Sequence, residues 1–328
     1  MNIHDDFNTI ISVENLLDAW REFKRGKTKK SDVMAFDFHL EHHILQLHHQ
    51  LKNKTYTPEP YTAFFVCDPK LRHVHKASVR DRVVHQAIYR QLYHVFDPQF
   101  IHDSYSCRVG KGTHAGVQRL EYFSRKASGN FRRPIWYLKC DVSRFFDSID
   151  HVILKQKLAS NIINQDTLLL CNTIIDSFSK LPEKGLPLGN VTSQLFANVY
   201  LHTFDHFMKH DMKIKYYLRY CDDFVILHHD RTYLEKLLSQ AQHFLTKHLG
   251  LTIHPRKITL KKFTQGIDFL GYVTFPHYRI IRTRTRQRMI RKLKKHSDEA
   301  ILQSYLGIAK HAHAYRVKKI LVDLLRNN

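Results

Sequence analysis

The sequence predicts an α+β fold, an antiparallel sheet backed by helices. Three observations point there. Residues 135–140, 214–220 and 224–228 are short runs rich in aromatic and branched side chains, the signature of strands. Residues 194–207 and 233–249 have the length and apolar spacing of helices. No internal repeat or low-complexity linker interrupts the chain, and 328 residues suit two or three packed subdomains.

From the N-terminus, Ile11, Leu16, Leu17, Trp20 and Phe23, then Phe36, Leu40, Ile44, Leu47 and Leu51, recur at helical spacing and predict two helices. Between them lies the basic stretch Lys24-Arg25-Gly26-Lys27-Thr28-Lys29-Lys30, which reads equally as solvated surface or as a nucleic-acid contact. Residues 61–66 are extended, Asp68-Pro69 turns them, and 83–95 are again helical. After Pro276 the composition changes: residues 279–295 hold nine Lys or Arg and no acid, with Arg282, Arg284, Arg286 and Arg288 in alternation.

Charge narrows the function. Lys and Arg total 52 against 30 acids, a formal +22 that favours a polyanionic partner, nucleic acid first. No apolar run is long enough to span a bilayer and no charged-then-apolar leader opens the chain, so a soluble, cytoplasmic protein is expected. Cys67, Cys107, Cys140, Cys171 and Cys221 are odd in number and widely spaced without CxxC pairing, which predicts reduced, mostly buried thiols. His39, His42, His43 and His49 recur at helical spacing and read as a polar helix face more readily than as metal ligands.

The chemistry concentrates in carboxylates. Tyr220-Cys221-Asp222-Asp223 sits between two apolar strand runs, placing paired acids at a hairpin turn. Adjacent carboxylates raise each other's pKa unless a cation neutralises them, and hard oxygen ligands suit Mg²⁺. Such dipeptides are also ordinary turn formers. Asp141 breaks the tie: it ends another strand run and can join the same cluster, and three acids can hold two metal ions for in-line phosphoryl transfer.

Four motifs occur in the order found in reverse transcriptases: the strand ending at Asp141 with Phe145-Phe146, the block Gly185-Leu-Pro-Leu-Gly-Asn-Val-Thr-Ser-Gln194, the Tyr220–Asp223 box, and Phe269-Leu-Gly-Tyr272. The chain resembles that family from about Tyr61 to Tyr278, and Val79-Arg-Asp-Arg-Val-Val84 looks like group II intron-type enzymes. The resemblance implies a right-hand polymerase fold: an N-terminal helical extension over 1–60, fingers and palm over 61–278, and a short, basic, helical thumb over 279–328. It implies RNA-directed DNA synthesis with Asp141, Asp222 and Asp223 as catalytic, metal-holding carboxylates for two Mg²⁺ ions, Mn²⁺ being an alternative.

Carried over by position, Lys70 and Arg72 match the fingers contact to the triphosphate, and Lys257 a palm lysine near it. Phe146 matches the steric gate against a ribose 2′-hydroxyl, though Phe145 and Phe146 also read as core. Leu188, Gly189 and Gln194 line the nucleotide side of their block, and Phe269, Leu270, Gly271 and Tyr272 match the primer grip. Arg282, Arg284, Arg286, Arg288, Arg291 and Lys292 are expected to contact template-primer phosphates.

Most reverse transcriptases carry Gln-Gly and end this block in Ser-Pro; here it reads Leu188-Gly189 and Ser193-Gln194. That variant resembles enzymes of diversity-generating retroelements and implies low fidelity at template adenines, a structured template RNA and a small basic accessory protein. A retron-type, defence-associated or free-standing group II intron-like enzyme is the nearest alternative, and an RNA-binding scaffold on a polymerase fold the non-enzymatic one.

Overall fold

The computed structural model describes residues 7–67, 71–296 and 298–326. The fold is α+β, as expected. The chain divides into two compact units interleaved in sequence: residues 1–101, 142–207 and 243–252 form one, and residues 102–141, 208–242 and 253–328 the other.

The first unit opens with four helices, Phe7–Ile11, Val13–Lys24, Ser31–Phe38 and Leu40–Lys52, where two were expected. Each expected helix is broken once. Ser12 accepts the Asn15 N–H at 3.1 Å and so caps a new helix, and at His39 the backbone leaves helical geometry. Trp20 and Phe36 pack with ring centroids 4.9 Å apart. His43 stacks on Phe36 at 4.6 Å, and His39 and His42 lie edge-on to His43.

The strands β1 (Thr62–Cys67) and β2 (Leu71–Lys76) form an antiparallel ladder with Val66 opposite Arg72. The Asp68-Pro69 turn and Lys70 lie outside the described residues. Ser78 caps the next helix through the Asp81 N–H, so that helix runs Val79–Phe96 and starts four residues before the apolar pattern does. The helix Val191–His206 begins at Asn190 and buries most of its length. Its Tyr200 hydroxyl donates to the Leu249 carbonyl at 2.6 Å and accepts the Asp150 N–H at 3.3 Å.

In the second unit β3 (Trp136–Asp141), β4 (Tyr217–Tyr220), β5 (Asp223–His228) and β6 (Thr259–Lys262) make one antiparallel sheet in the order β4-β5-β3-β6. The three strands read from sequence are present; β6 escaped notice because Thr-Leu-Lys-Lys is short and carries lysines suited to an edge. Alternate residues Tyr137, Leu218, Val225 and Leu227 share a core with Val117, Leu120 and Phe123 of the helix Thr113–Ala127. That core continues through a three-stranded sheet, β7 (Ile267–Phe269), β8 (Tyr272–Thr274) and β9 (Arg279–Ile281). It ends on the helices Thr283–Lys295, Glu299–Ala309 and Tyr315–Arg326.

Among the described residues no helix is long and apolar enough to cross a membrane. Cys140 and Cys171 are buried, but Cys67 at the end of β1 and Cys107 are exposed, against the expectation of mostly buried thiols.

Candidate active site

The antiparallel register of the second unit assembles the acids. Asp141 at the end of β3 stands opposite Asp223 at the start of β5, and Tyr220 at the end of β4 also stands opposite Asp223. Cys221 and Asp222 are therefore the two central residues of a tight hairpin turn, as the sequence implied. Cys221 has φ +55°, a left-handed conformation costing a non-glycine residue about 1–2 kcal/mol.

Two lysines offset the three carboxylates. Lys257 Nζ bonds Asp141 Oδ1, and its segment is tied to the same residue through the His254 N–H, which donates to the Asp141 carbonyl at 2.8 Å. Lys139, two residues before Asp141 and so on the same face of β3, holds Nζ 3.8 Å from Asp223 Oδ1. The same ammonium donates to the Asp268 carbonyl at 3.0 Å. The charges do not balance. Burial first, then the Asp141 charge, push the Asp222 carboxyl above its usual range despite Lys257. Burial, with the Asp141 and Asp222 charges, pushes Asp223 up to about 6 despite Lys139. Burial likewise lifts the Cys221 thiol.

Buried carboxylates that repel one another are the donor chemistry a divalent cation neutralises, so these side chains fit Mg²⁺ by charge and ligand type. Among the described residues, however, no group of three or more His, Cys, Asp or Glu side chains is gathered as an ion-holding set, and the Asp141 carboxylate is engaged by Lys257.

The other residues that the resemblance assigned to nucleotide binding lie in the first unit. Phe145 is buried and Phe146 half-buried, their rings edge to face at 5.3 Å, so only the first is fully core. The Phe146 carbonyl accepts the Leu186 N–H at 2.8 Å, joining this turn to the Gly185–Gln194 block. Gly185, at φ +110°, has Lys180 against it: a Cβ there would fall 2.9 Å from Lys180 Cβ. Gly189 adjoins β2, a Cβ there lying 3.6 Å from Val74 Cγ1, and Arg72 is exposed on that strand. Leu188 and Gln194 are half-buried, and Asn190 is buried.

In the second unit Phe269 and Tyr272 are paired, buried ends of β7 and β8. Leu270 and Gly271, with φ of 50° and 89°, form the two-residue turn between them; two positive φ values in succession explain the glycine. Of the alternating arginines, Arg282 is the N-cap and Arg284, Arg286 and Arg288 lie in the helix Thr283–Lys295, where Met289 and Leu293 face the core, while Arg284, Arg286, Arg291 and Lys292 are exposed. Arg288 is half-buried, and Arg282 pairs with Asp268 instead of standing free.

Sequence reasoning missed Lys139 and His254. Period-two alternation with Asp141 was the signal for Lys139; nothing local signals a backbone contact from His254, 113 positions on.

Residues 67–274 match the family model described as reverse transcriptase (RNA-dependent DNA polymerase). Protein YkfC of Escherichia coli (strain K12) is 24% identical over 281 residues, spanning 73% of this chain and 71% of that protein. The group II intron-encoded protein LtrA of Lactococcus lactis subsp. cremoris is 25% identical over 189 residues, 54% of this chain. The "uncharacterized 91 kDa protein in cob intron" of Schizosaccharomyces pombe is 28% identical over 138 residues, 40% of this chain. The matched regions span only 30% and 16% of those last two proteins.

Among solved structures, telomerase from Candida albicans in complex with a TWJ fragment of telomeric RNA superposes with TM-score 0.52 at 12% identity, over 83% of this chain and 60% of that one. Apo telomerase from Candida tropicalis, truncated from its C-terminal domain, gives 0.51 at 13% identity, over 71% and 58%. At such identity the likeness is one of fold, and it bears out the expected right-hand polymerase class.

Proposed function

The chain belongs to the reverse transcriptase (RNA-dependent DNA polymerase) family, and on that premise we propose that it makes cDNA from a retroelement template RNA, with errors concentrated at template adenines. The observation that carries the polymerase reading is the register of Asp141 against Asp223 with Asp222 at the adjoining turn. These three side chains would hold two Mg²⁺, or Mn²⁺, and the chemistry supplied on binding is activation of a primer 3′-hydroxyl and charge neutralisation at the triphosphate.

The chain's own residues do the rest. Lys257 and Lys139 keep positive charge on the carboxylate cluster before substrate arrives. Lys70 and Arg72 bind the triphosphate, Phe146 rejects a 2′-hydroxyl by clash, and Phe269 to Tyr272 support the primer end. Residues 1–60 act as an N-terminal extension, 61–278 as fingers and palm, and 279–328 as thumb. Arg284, Arg286, Arg291 and Lys292, which are exposed, supply phosphate contacts there, together with the half-buried Arg282 and Arg288.

Leu188 supports the lineage: an apolar side chain in place of glutamine offers no directional hydrogen bond to a nascent base pair, and geometry is policed less strictly. A structured RNA and a small basic accessory protein are the partners this reading brings, in the cytoplasm. Likeness to LtrA favours a second reading, a free-standing group II intron-like enzyme.

Primer extension on an RNA template with dNTPs and Mg²⁺, sequencing the cDNA, tests both. Wild type should extend and Asp222→Ala should not, with errors clustered at template adenines and reduced by Leu188→Gln. Accurate wild-type cDNA would replace the first lineage with the second. Extension by Asp222→Ala equal to wild type would refute the site.

A further inference from the structure

We infer that Arg219 is a positioning residue that holds the Tyr220–Asp223 turn from behind and so sets the spacing of the Asp222 and Asp223 carboxylates. The inference rests on the polymerase reading for its consequence in turnover, but its geometry stands by itself.

Arg219 is a charged side chain only 1% exposed. Burying a guanidinium is costly unless its donors are met, so its contacts have structural weight. Nη1 donates to the Cys221 carbonyl at 2.9 Å and Nη2 to Ser104 Oγ at 3.0 Å. The backbone makes the same connection. The Arg219 N–H donates to the Asp103 carbonyl at 2.9 Å, and its carbonyl accepts the Tyr105 N–H at 2.9 Å, laying that segment parallel to β4. The segment is anchored in turn, because Asp103 accepts from Arg119 Nε at 2.8 Å and Lys209 Nζ at 3.0 Å.

Arg219 stands opposite Phe224, one step out of phase with the Tyr220–Asp223 pair. Strand alternation therefore puts its side chain on the face away from Asp223, where it acts through the turn and not on substrate. The turn needs such a brace. Cys221 is held at φ +55° without being glycine, and a conformation of that kind persists only where surrounding bonds over-determine it. The fork of Arg219 meets the Cys221 carbonyl directly, fixing the peptide that leads into Asp222.

The test uses the full chain as Arg219→Met, Arg219→Lys and Ser104→Ala. Three quantities are read: melting temperature, Mn²⁺ affinity by electron paramagnetic resonance, and kcat and KM for dNTP separately. Arg219→Met should lose about 100-fold in kcat with KM for dNTP little changed, as expected when reacting groups are misplaced by an ångström. Mn²⁺ affinity should fall about tenfold, the usual cost of removing a residue that orients ligands. Arg219→Lys should rescue little, since an ammonium cannot present two donors in a fixed fork. Ser104→Ala should lose about fivefold, one hydrogen bond's worth.

A folded Arg219→Met with wild-type kcat and Mn²⁺ affinity would overturn the inference. If that variant does not fold, Ser104→Ala matching wild type in both quantities overturns it instead. Wild-type protein that binds Mn²⁺ through Asp222 yet makes no cDNA would count against the polymerase reading alone, and the Mn²⁺ series would still decide Arg219.

Discussion

Asp141 and Asp223 are paired residues of the β3–β5 ladder, so backbone hydrogen bonding alone holds two carboxylates together. Folding overcomes their repulsion because the strands they terminate are buried and apolar: Leu138, Cys140, Phe224, Val225 and Ile226 are each 1% exposed or less. The sheet sets the site's charge, and the following expectations come from that strain and from two positions in the first unit.

Asp223→Asn should stabilise the fold while abolishing synthesis. The folded-state pKa of Asp223 is about 6 against an ordinary 3.8, so the native state binds its proton more tightly than the unfolded chain. Stability attached to this group is present at low pH and is lost as pH rises through the folded pKa. At neutral pH the variant should gain about 1–3 kcal/mol, and the gain should vanish below about pH 4. Thermal melts across that range check it; a lower melting temperature at neutral pH is the contrary result.

Lys257→Met should move the acid limb of the kcat/KM profile to higher pH. Burial and Asp141 already raise Asp222, and Lys257 opposes them. Without that cation more of the carboxylate is protonated at a given pH. A pH–rate profile superposing on wild type would disconnect Lys257 from the cluster.

His85→Leu should remove an acid sensitivity of the fold. Neither ring nitrogen of the buried His85 has a hydrogen-bond partner among the described residues, and burial lowers its pKa to about 4. The unfolded chain binds a proton near the ordinary 6.5 and the native state does not, so stability falls as pH drops from 6.5 towards 4. The leucine variant should be the more stable one at pH about 5, by up to about 2 kcal/mol, with little acid-side loss from this position. Equal acid-side slopes in the two proteins would contradict this.

Gly185→Ala should cost about 2–4 kcal/mol, because φ is +110° and the new methyl meets Lys180 Cβ at 2.9 Å and Lys180 N at 3.1 Å. Gly112→Ala is the control. Its φ is +112° with nothing within 4 Å, so it should lose only the backbone term of about 1–2 kcal/mol. Chemical denaturation of both variants measures the difference; equal losses would remove the Lys180 contact as a cause.

Local patterning made much of the fold legible. The runs that became β3, β4 and β5 alternate or cluster branched and aromatic residues, and the helix Val191–His206 carries apolar residues along its whole length. What was missed was short or capped by a single side chain. Ser12 splits a helix with one hydroxyl, and β7, β8 and β9 are three residues each, too brief for periodicity to register. At the site, the acids were readable because adjacent carboxylates at a turn are costly enough to need a reason.

By itself the sequence determined which residues carry charge and which segments can be strands: Asp141 closes one apolar run, and Asp222 with Asp223 divides two others. Only the tertiary structure decided that Asp141 faces Asp223, that Lys139 and Lys257 each pair with one carboxylate, and that Arg219 ties the turn to Ser104. The reason is physical. Strand propensity is a property of a few neighbouring residues, whereas register, burial and ion pairing here join positions 82 to 116 residues apart and exist only once the sheet has closed.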